Sequence, residues 1–149
     1  MTAVIFIGLQ ASGKSTFYRD RFLDSHVRIN LDMLKTRRRE NVLLAACLEA
    51  KQPFVVDNTN PTKADRLRYI PAAREAGFKI VGYYFQSKIS ECMSRNEQRP
   101  KGQVVPRPGL LGTSARIERP EKSEGFDKLY YVRIDSNGAF VVEAWNDEI

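Results

Sequence analysis

One stretch near the N-terminus carries residues whose types and spacing suit phosphate binding. It reads Gly8-Leu9-Gln10-Ala11-Ser12-Gly13-Lys14-Ser15 and fits the pattern G-x-x-x-x-G-K-[ST]. In such a loop the glycines let the backbone turn tightly, so that its N–H groups point at phosphate oxygens. The helix that follows adds the partial positive charge of its N-terminus. The pattern therefore predicts a P-loop that holds the phosphates of ATP or GTP together with Mg²⁺.

Individual roles within this loop follow from the side-chain chemistry. Lys14 supplies a mobile positive charge for the β- and γ-phosphates, and Ser15 offers its hydroxyl to Mg²⁺. The predicted nucleotide-binding set also includes the rest of the loop and the residue after it: Gly8, Gln10, Ala11, Ser12, Gly13 and Thr16.

A carboxylate follows the second apolar run of the chain, in the sequence Ile29-Asn30-Leu31-Asp32. A hydroxyl that accepts a phosphoryl group needs a carboxylate to orient it and to take its proton. Asp32 is a candidate for that role. An acid at this position is also typical of a helix N-terminus, where it interacts favourably with the helix dipole, so the position alone leaves both interpretations open.

Short apolar runs alternate with helical segments along the chain. Strands are predicted at 3–7, 27–30, 54–57 and 78–85, and a hairpin around Asn137-Gly138 joins two further strands at the C-terminus. This order predicts a P-loop NTPase fold of the nucleotide-kinase type, with three α/β/α layers, a mainly parallel sheet and a C-terminal hairpin strand. Ligands bind at the carboxyl ends of parallel strands, so Lys14, Asp32 and Asp57 are expected at one edge.

Between the strands, the sequence predicts one helix over 32–50 and another from an Asn60 N-cap to about Ala76, with Gly77 as its stop. Residues 99–112 are rich in proline and glycine and are predicted as a mobile loop over the site. We expect one domain over 1–149, with a lid segment at about 95–118.

Composition narrows the class of protein. The chain has 149 residues, of which 42% are hydrophobic and 28% charged, which suits one globular domain. No apolar run reaches the ~20 residues of a membrane span, and the N-terminus has no signal-peptide pattern. Cys47 and Cys92 fit neither a disulfide framework nor a metal site, so we expect a cytoplasmic location without membrane contact. The net charge of +6 favours anionic partners without choosing among them.

Four sequence stretches together resemble a known family. GLQASGKSTF, INLD, VVDNTNP and Arg95-Asn96-x-x-Arg99 look like the 5′-polynucleotide kinase domain, the kinase half of phage and animal polynucleotide kinase/phosphatases. The similarity covers residue 1 to about residue 99. The P-loop is shared by many families, whereas the D-N-T-N-P stretch and the RNxxR spacing are more specific. The family also includes small stand-alone bacterial members of similar length.

The resemblance implies roles for individual positions. Asp32 would be the general base on the acceptor 5′-hydroxyl, and Arg99 the lid arginine that stabilises the transferring phosphoryl group, with Arg95 as a phosphate contact. Asp57 would act near the metal or the lid arginine, although an Asx cap of the next helix is an equal alternative. Asn58 matches the motif and is placed with Asp57 on the substrate side.

Departures from the family pattern fall on the acceptor side. Leu31 stands where an arginine is common, and Lys35 stands where the phage enzyme has an arginine that binds the acceptor's phosphate. Lysine can contact phosphate, but without the two-pronged geometry of arginine. Lys35 and Arg38 are the predicted acceptor contacts. Arg38 lies in the basic run 37–39, and such a run is more often a solvated helix face.

Three functional hypotheses remain at this point. The first is an ATP- and Mg²⁺-dependent kinase that moves the γ-phosphate to a hydroxyl, with a polynucleotide 5′ end as one acceptor. The second is a kinase for a small molecule such as a nucleoside, a sugar or an antibiotic. The third is an ATP-binding switch without an acceptor. None requires an obligate protein partner.

Overall fold

Strand β1 (Thr2–Ile7) is apolar along its length and lies in the interior of a six-stranded sheet. The computed structural model describes all 149 residues. The strand order is β2-β3-β1-β4-β5-β6, where the others are β2 (Val27–Ile29), β3 (Phe54–Val56), β4 (Lys79–Phe85), β5 (Lys128–Ile134) and β6 (Phe140–Ala144). The first five strands run parallel and β6 pairs antiparallel with β5. The predicted fold class is therefore confirmed.

Seven α-helices connect the strands: α1 (Lys14–Arg21), α2 (Leu31–Leu34), α3 (Arg37–Ala50), α4 (Lys63–Arg66), α5 (Ile70–Glu75), α6 (Ile89–Glu97) and α7 (Arg107–Arg116). Two short 3₁₀ turns lie at Lys101–Gln103 and Lys122–Glu124. No helix combines the length and the apolar character needed to cross a lipid bilayer.

Alternate side chains of β1 enter different core clusters. Ala3, Ile5 and Ile7 pack in one cluster with apolar residues of α3 and α5, while Val4 and Phe6 pack in the other with α1. Because successive side chains of a strand point to opposite faces, these clusters are the two layers between sheet and helices. β1 is thus buried on both sides, and the P-loop that follows it starts from a rigid position.

The predicted helix over 32–50 is two helices in the structure. Lys35 has a positive φ of 73° and ends α2, and Thr36 then caps α3, its hydroxyl accepting a hydrogen bond from the Arg39 N–H at 3.2 Å. A threonine cap favours a new helix start over continuation through the interior. The single-helix prediction was wrong because propensity alone does not reveal this cap.

Asn60 does not cap a helix, contrary to prediction. It has a positive φ of 45°, and its side-chain amide donates to the Phe6 carbonyl at 2.8 Å. Thr62 is the N-cap of α4 and forms a capping box with Asp65, and α5 is a separate helix. The predicted stop at Gly77, with φ of 88°, is correct.

The proline- and glycine-rich segment after residue 99 contains a helix, which the sequence did not predict. α7 begins just after Pro106 and contains Pro108 in its first turn, where the missing N–H has no helical partner to lose. Leu110 of this helix packs with Leu9 of the P-loop and Cys92 of α6, and all three are fully buried. The segment is therefore attached to the P-loop.

Candidate active site

A cavity of about 380 Å³ lies where the carboxyl ends of β1, β2 and β3 meet. Its lining includes Lys14, Asp32 and Asp57, from the segments that follow these strands, and Arg99 and Arg116, from a later part of the chain. The parallel order of the strands brings these side chains together, as expected for such a sheet.

Two residues of the P-loop have positive φ angles, which residues other than glycine rarely adopt. Ala11 and Gly13 have φ of 62° and 100°. A Cβ on Gly13 would lie 2.9 Å from the ring of Phe140, which packs on the loop from β6. Gly13 is therefore required both by its backbone angle and by the close approach of the hairpin.

Lys14 is buried, and its ammonium donates to the carbonyls of Gly8 and Leu9 at 3.0 and 2.6 Å. Burial lowers the pKa of Lys14 to about 8, against the opposing effect of nearby carboxylates, of which Asp57 is the strongest. The ammonium of Lys14 thus interacts with carbonyls of the loop itself, and a triphosphate would compete with them for its positive charge.

Ser15 and Asp57, the two predicted metal ligands, are in direct contact. The Ser15 hydroxyl donates to Asp57 Oδ2 at 3.0 Å. A hydroxyl and a carboxylate are hard oxygen donors, and Mg²⁺ binds few protein ligands while keeping water and phosphate oxygens, so this pair fits that ion.

Arg28 of β2 also reaches this pair, which sequence reasoning missed. Its Nε donates to Asp57 Oδ2 at 2.8 Å and its Nη2 to Ser15 Oγ at 2.9 Å. A charged residue between Val27 and Ile29 in a short apolar strand is the signal that could have revealed it.

Asp32 lies on the exposed rim of the cavity, on the four-residue helix α2. Two asparagines fix this helix. Asn30 accepts a hydrogen bond from the Met33 N–H at 2.9 Å, and Asn58 accepts one from the Leu31 N–H at 2.8 Å. The first turn that carries Asp32 is therefore tied to the end of β3.

A fully buried carboxylate stands behind Asn58. Glu40 of α3 accepts hydrogen bonds from the Asn58 amide at 3.1 Å, from the Tyr69 hydroxyl at 3.0 Å and from Arg37 Nη1 at 2.8 Å. Burial raises the pKa of Tyr69, and the charge of Glu40 raises it further. The network orients the Asn58 amide so that its oxygen faces Leu31.

Another wall of the cavity is held by Arg66, which is fully buried. Its guanidinium forms two hydrogen bonds with the Glu124 carboxylate, at 2.8 and 3.1 Å, and a third with the Asn60 carbonyl at 2.9 Å. The segment after β3 is thereby joined to the C-terminal part of the chain.

Neither of the two predicted acceptor contacts lies on the cavity. Lys35 and Arg38 are exposed and lie outside the lining, whereas Arg37, from the same predicted basic run, and Arg116, which was not predicted, are part of it. Arg37 is held there by Glu40. The roles of Lys35 and Arg38 in binding stay predictions.

The lid segment meets the P-loop through polar contacts. Arg99 lines the cavity, and its Nη1 donates to the Gln103 carbonyl at 3.3 Å. Arg95 is not part of the lining and donates to the Ala11 carbonyl at 3.3 Å. The Gln10 amide donates to Thr113 Oγ1 of α7 at 3.1 Å. Arg99 is thus part of the cavity wall, with its guanidinium bonded to its own segment, and Arg95 contacts the P-loop backbone.

Residues 4–120 match the AAA domain family, which covers most of the chain. The chain belongs to this family.

Two curated relatives carry the name that the sequence resemblance suggested. The chain is 29% identical over 130 residues to a bifunctional polynucleotide phosphatase/kinase of Schizosaccharomyces pombe. It is 33% identical over 133 residues to a putative bifunctional polynucleotide phosphatase/kinase of Acanthamoeba polyphaga mimivirus. Each alignment covers 85% of this chain and 32% of the relative, so the chain spans about a third of their length. The resemblance to the polynucleotide kinase group is confirmed.

Solved structures share the fold at low identity. Kti12 of Chaetomium thermophilum, in complex with ADP-AlF3, superposes with a TM-score of 0.69 at 16% identity, covering 91% of this chain and 92% of that chain. A gluconokinase of Sinorhizobium meliloti 1021 superposes with a TM-score of 0.62 at 19% identity, covering 91% and 83%. These similarities establish a P-loop kinase-like fold.

Proposed function

We propose that this member of the AAA domain family is a kinase that transfers the γ-phosphate of ATP to a hydroxyl. The observation that carries the proposal is that Lys14, Ser15, Asp32 and Arg99 all line one cavity. These residues supply a donor side and an acceptor side within one cavity. A nucleotide-binding switch would need only the first.

In the proposed reaction the acceptor oxygen forms a bond to the γ-phosphorus, and the bond from that phosphorus to the β–γ bridging oxygen breaks. Lys14 and Arg99 stabilise the negative charge on the phosphoryl group, and the leaving group is ADP. Asp32 orients the acceptor hydroxyl and takes its proton. Ser15 and Asp57 would hold Mg²⁺, which neutralises charge on the phosphates when bound.

The acceptor class that we favour is the 5′-hydroxyl of a polynucleotide. Support comes from the names of the two relatives and from the arginines Arg37 and Arg116 on the cavity wall. Arginine suits phosphate because its planar fork can donate two parallel hydrogen bonds.

A small-molecule acceptor is the second candidate. Leu31 and Lys35 stand where the resembling family uses arginines, and Lys35 is outside the cavity lining. A site with fewer arginines on the acceptor side suits an acceptor that carries fewer phosphate groups.

Transfer of labelled phosphate from [γ-³²P]ATP with Mg²⁺ tests the proposal, using a 5′-hydroxyl oligonucleotide, the same oligonucleotide with a 5′-phosphate, and a panel of nucleosides, sugars and aminoglycosides. We expect label on the 5′-hydroxyl oligonucleotide and none on the 5′-phosphorylated one. Label on a small molecule alone would favour the second candidate. ATP binding without transfer to any acceptor would contradict a kinase. The same screen with GTP tests the choice of ATP.

We further propose that the reaction takes place in the cytoplasm, where ATP is abundant. The two cysteines, Cys47 and Cys92, are free buried thiols, as is usual in a reducing compartment.

A further inference from the structure

The side chain of Arg28 closes a triangle with the two groups expected to hold Mg²⁺. Nε of Arg28 lies 2.8 Å from Asp57 Oδ2, and Nη2 lies 2.9 Å from Ser15 Oγ. The Ser15 hydroxyl donates to the same Asp57 oxygen at 3.0 Å. A guanidinium cation therefore interacts with the Ser15 hydroxyl oxygen and with one of the two Asp57 carboxylate oxygens.

The strand that carries Arg28 explains why the guanidinium points there. Val27 and Ile29 of β2 pack into the core on one face of the sheet, so Arg28 must point to the other face. Its guanidinium carbon lies 6.0 Å from the centroid of the Tyr18 ring on α1. Its side chain keeps 28% of its exposure, whereas that of Asp57 keeps 1%. Arg28 thus balances the charge of a buried carboxylate from the partly solvated side.

Ser15 Oγ and Asp57 Oδ2 are already engaged in hydrogen bonds in this arrangement. The serine hydroxyl donates a hydrogen bond to Asp57 and accepts one from Arg28 with one of its two lone pairs. The negative charge of Asp57 is offset by the guanidinium. No cluster of three or more His, Cys, Asp or Glu side chains suited to a metal occurs in the chain. A divalent ion arriving alone would meet one shared carboxylate and a nearby positive charge.

A metal ion that arrives with a nucleotide is in a different position. The phosphate oxygens bring several negative charges and most of the ligands that Mg²⁺ requires. We propose that Arg28 acts as a competitor built into the metal site, which makes divalent metal binding depend on the nucleotide. Arg28 is thus a positioning residue that holds Ser15 and Asp57 in place until the nucleotide and metal enter together and Nη2 gives up the serine oxygen. The proposal rests on the proposed function only for the nucleotide and the metal, since it requires no acceptor.

A measurement of Mn²⁺ binding tests the competition without any turnover. Binding is monitored by the loss of the electron-paramagnetic-resonance signal of free Mn²⁺. We expect weak binding to the wild-type protein alone and much tighter binding with ADP. In Arg28→Gln we expect binding without nucleotide to tighten about tenfold, because a positive charge close to the ion is lost. Arg28→Lys keeps the charge and should tighten it less. Arg68→Gln removes the same charge from an exposed residue outside the cavity lining and should change nothing.

Equal Mn²⁺ affinity of Arg28→Gln and wild type without nucleotide would overturn the proposal, provided that both unfold cooperatively. If Arg28→Gln does not fold, the wild-type protein still decides. The side-chain Nε–H resonance of Arg28, assigned with the Arg28→Lys spectrum, should stay unchanged with Mg²⁺ alone and shift with Mg²⁺ and ADP. A shift with Mg²⁺ alone, or none with both, would contradict the proposal. A protein that binds Mg²⁺ and ADP in this way but transfers no phosphate would refute the proposed function alone.

Discussion

At the scale of single residues, the ammonium of Lys14 has the most unusual environment for a charged group in the site. It is buried against loop carbonyls, and burial lowers its pKa to about 8. In an unfolded chain the same group would have its ordinary pKa of 10.5. A triphosphate in the loop would add negative charge beside the ammonium and raise its pKa again.

Nucleotide binding is therefore expected to take up protons in mildly alkaline solution. At pH 8.5 most of the Lys14 population is neutral before binding, so ATP binding should take up about 0.75 proton. Calorimetric titrations in two buffers of different ionisation enthalpy measure this number. Lys14→Met should abolish the uptake and weaken ATP binding, whereas Lys128→Met, at an exposed position, should change neither.

The lowered pKa of Lys14 also determines the direction in which the stability of the folded protein changes with pH. Since the folded pKa lies below the unfolded one, the unfolded chain binds more protons between about pH 8 and 10.5, and Lys14 opposes folding below that window. The stability of the nucleotide-free protein relative to Lys14→Met should therefore rise as the pH rises through the window. A difference that does not depend on pH would contradict the lowered pKa.

The residue types of the donor side were predictable, and their contacts were not. Lys14, Ser15 and Asp57 follow strands that the apolar runs reveal, so their meeting at one edge follows from parallel order. Arg28 and Glu40 act through contacts with residues distant in sequence, such as Asp57 and Asn58. No local pattern encodes such contacts.

At the scale of elements, α2 is the piece on which the acceptor side depends. A helix of four residues has too few internal hydrogen bonds to hold itself, so its position comes from Asn30, Asn58 and the buried Glu40 behind them. A change at Glu40 should therefore reach Asp32 without touching the phosphate loop.

Glu40→Gln is expected to destabilise the protein by about 2 kcal/mol, because a buried acceptor of three hydrogen bonds becomes a partly mismatched amide. Turnover should fall severalfold more than ATP affinity, since the P-loop is unaffected. Urea unfolding and steady-state kinetics measure the two effects. Glu49→Gln, an exposed change on the same helix, is the control. Equal losses in ATP affinity and turnover would show that Glu40 does not act through α2.

Strands were easier to predict than helix boundaries. A buried parallel strand is a continuous apolar run, and each predicted strand is found within a few residues of its expected ends. The break after Lys35 and the later start of α4 beyond Asn60 depend on positive φ angles and on caps at Thr36 and Thr62. α7 was missed because its prolines and glycines resemble a loop, while its stability comes from packing of Leu110 on the P-loop.

At the scale of the whole molecule, the net charge of +6 and the arginines on the cavity wall concern the approach of the acceptor. A positive protein attracts a polyanion over distances that salt shortens. A neutral acceptor would feel little of this field.

The KM for a 5′-hydroxyl oligonucleotide is therefore expected to rise with salt. Two phosphate contacts on a single strand would raise it roughly sevenfold between about 50 and 200 mM salt, at saturating ATP. The KM of an uncharged nucleoside should change little. Arg37→Gln should reduce the salt dependence of the oligonucleotide KM. Equal responses of the two acceptors would indicate that the cavity does not bind acceptor phosphates.

Asp32 as the base of a phosphoryl transfer is tested most directly by one comparison. Transfer from [γ-³²P]ATP to the 5′-hydroxyl oligonucleotide is measured for wild type, Asp32→Asn and the exposed control Asp24→Asn, with ATP affinity determined for each by calorimetry. We expect Asp32→Asn to bind ATP within about twofold of wild type and to lose at least about 100-fold in turnover, as expected on removal of a general base, while Asp24→Asn keeps both. Transfer by Asp32→Asn at the wild-type rate would contradict this assignment of the acceptor side.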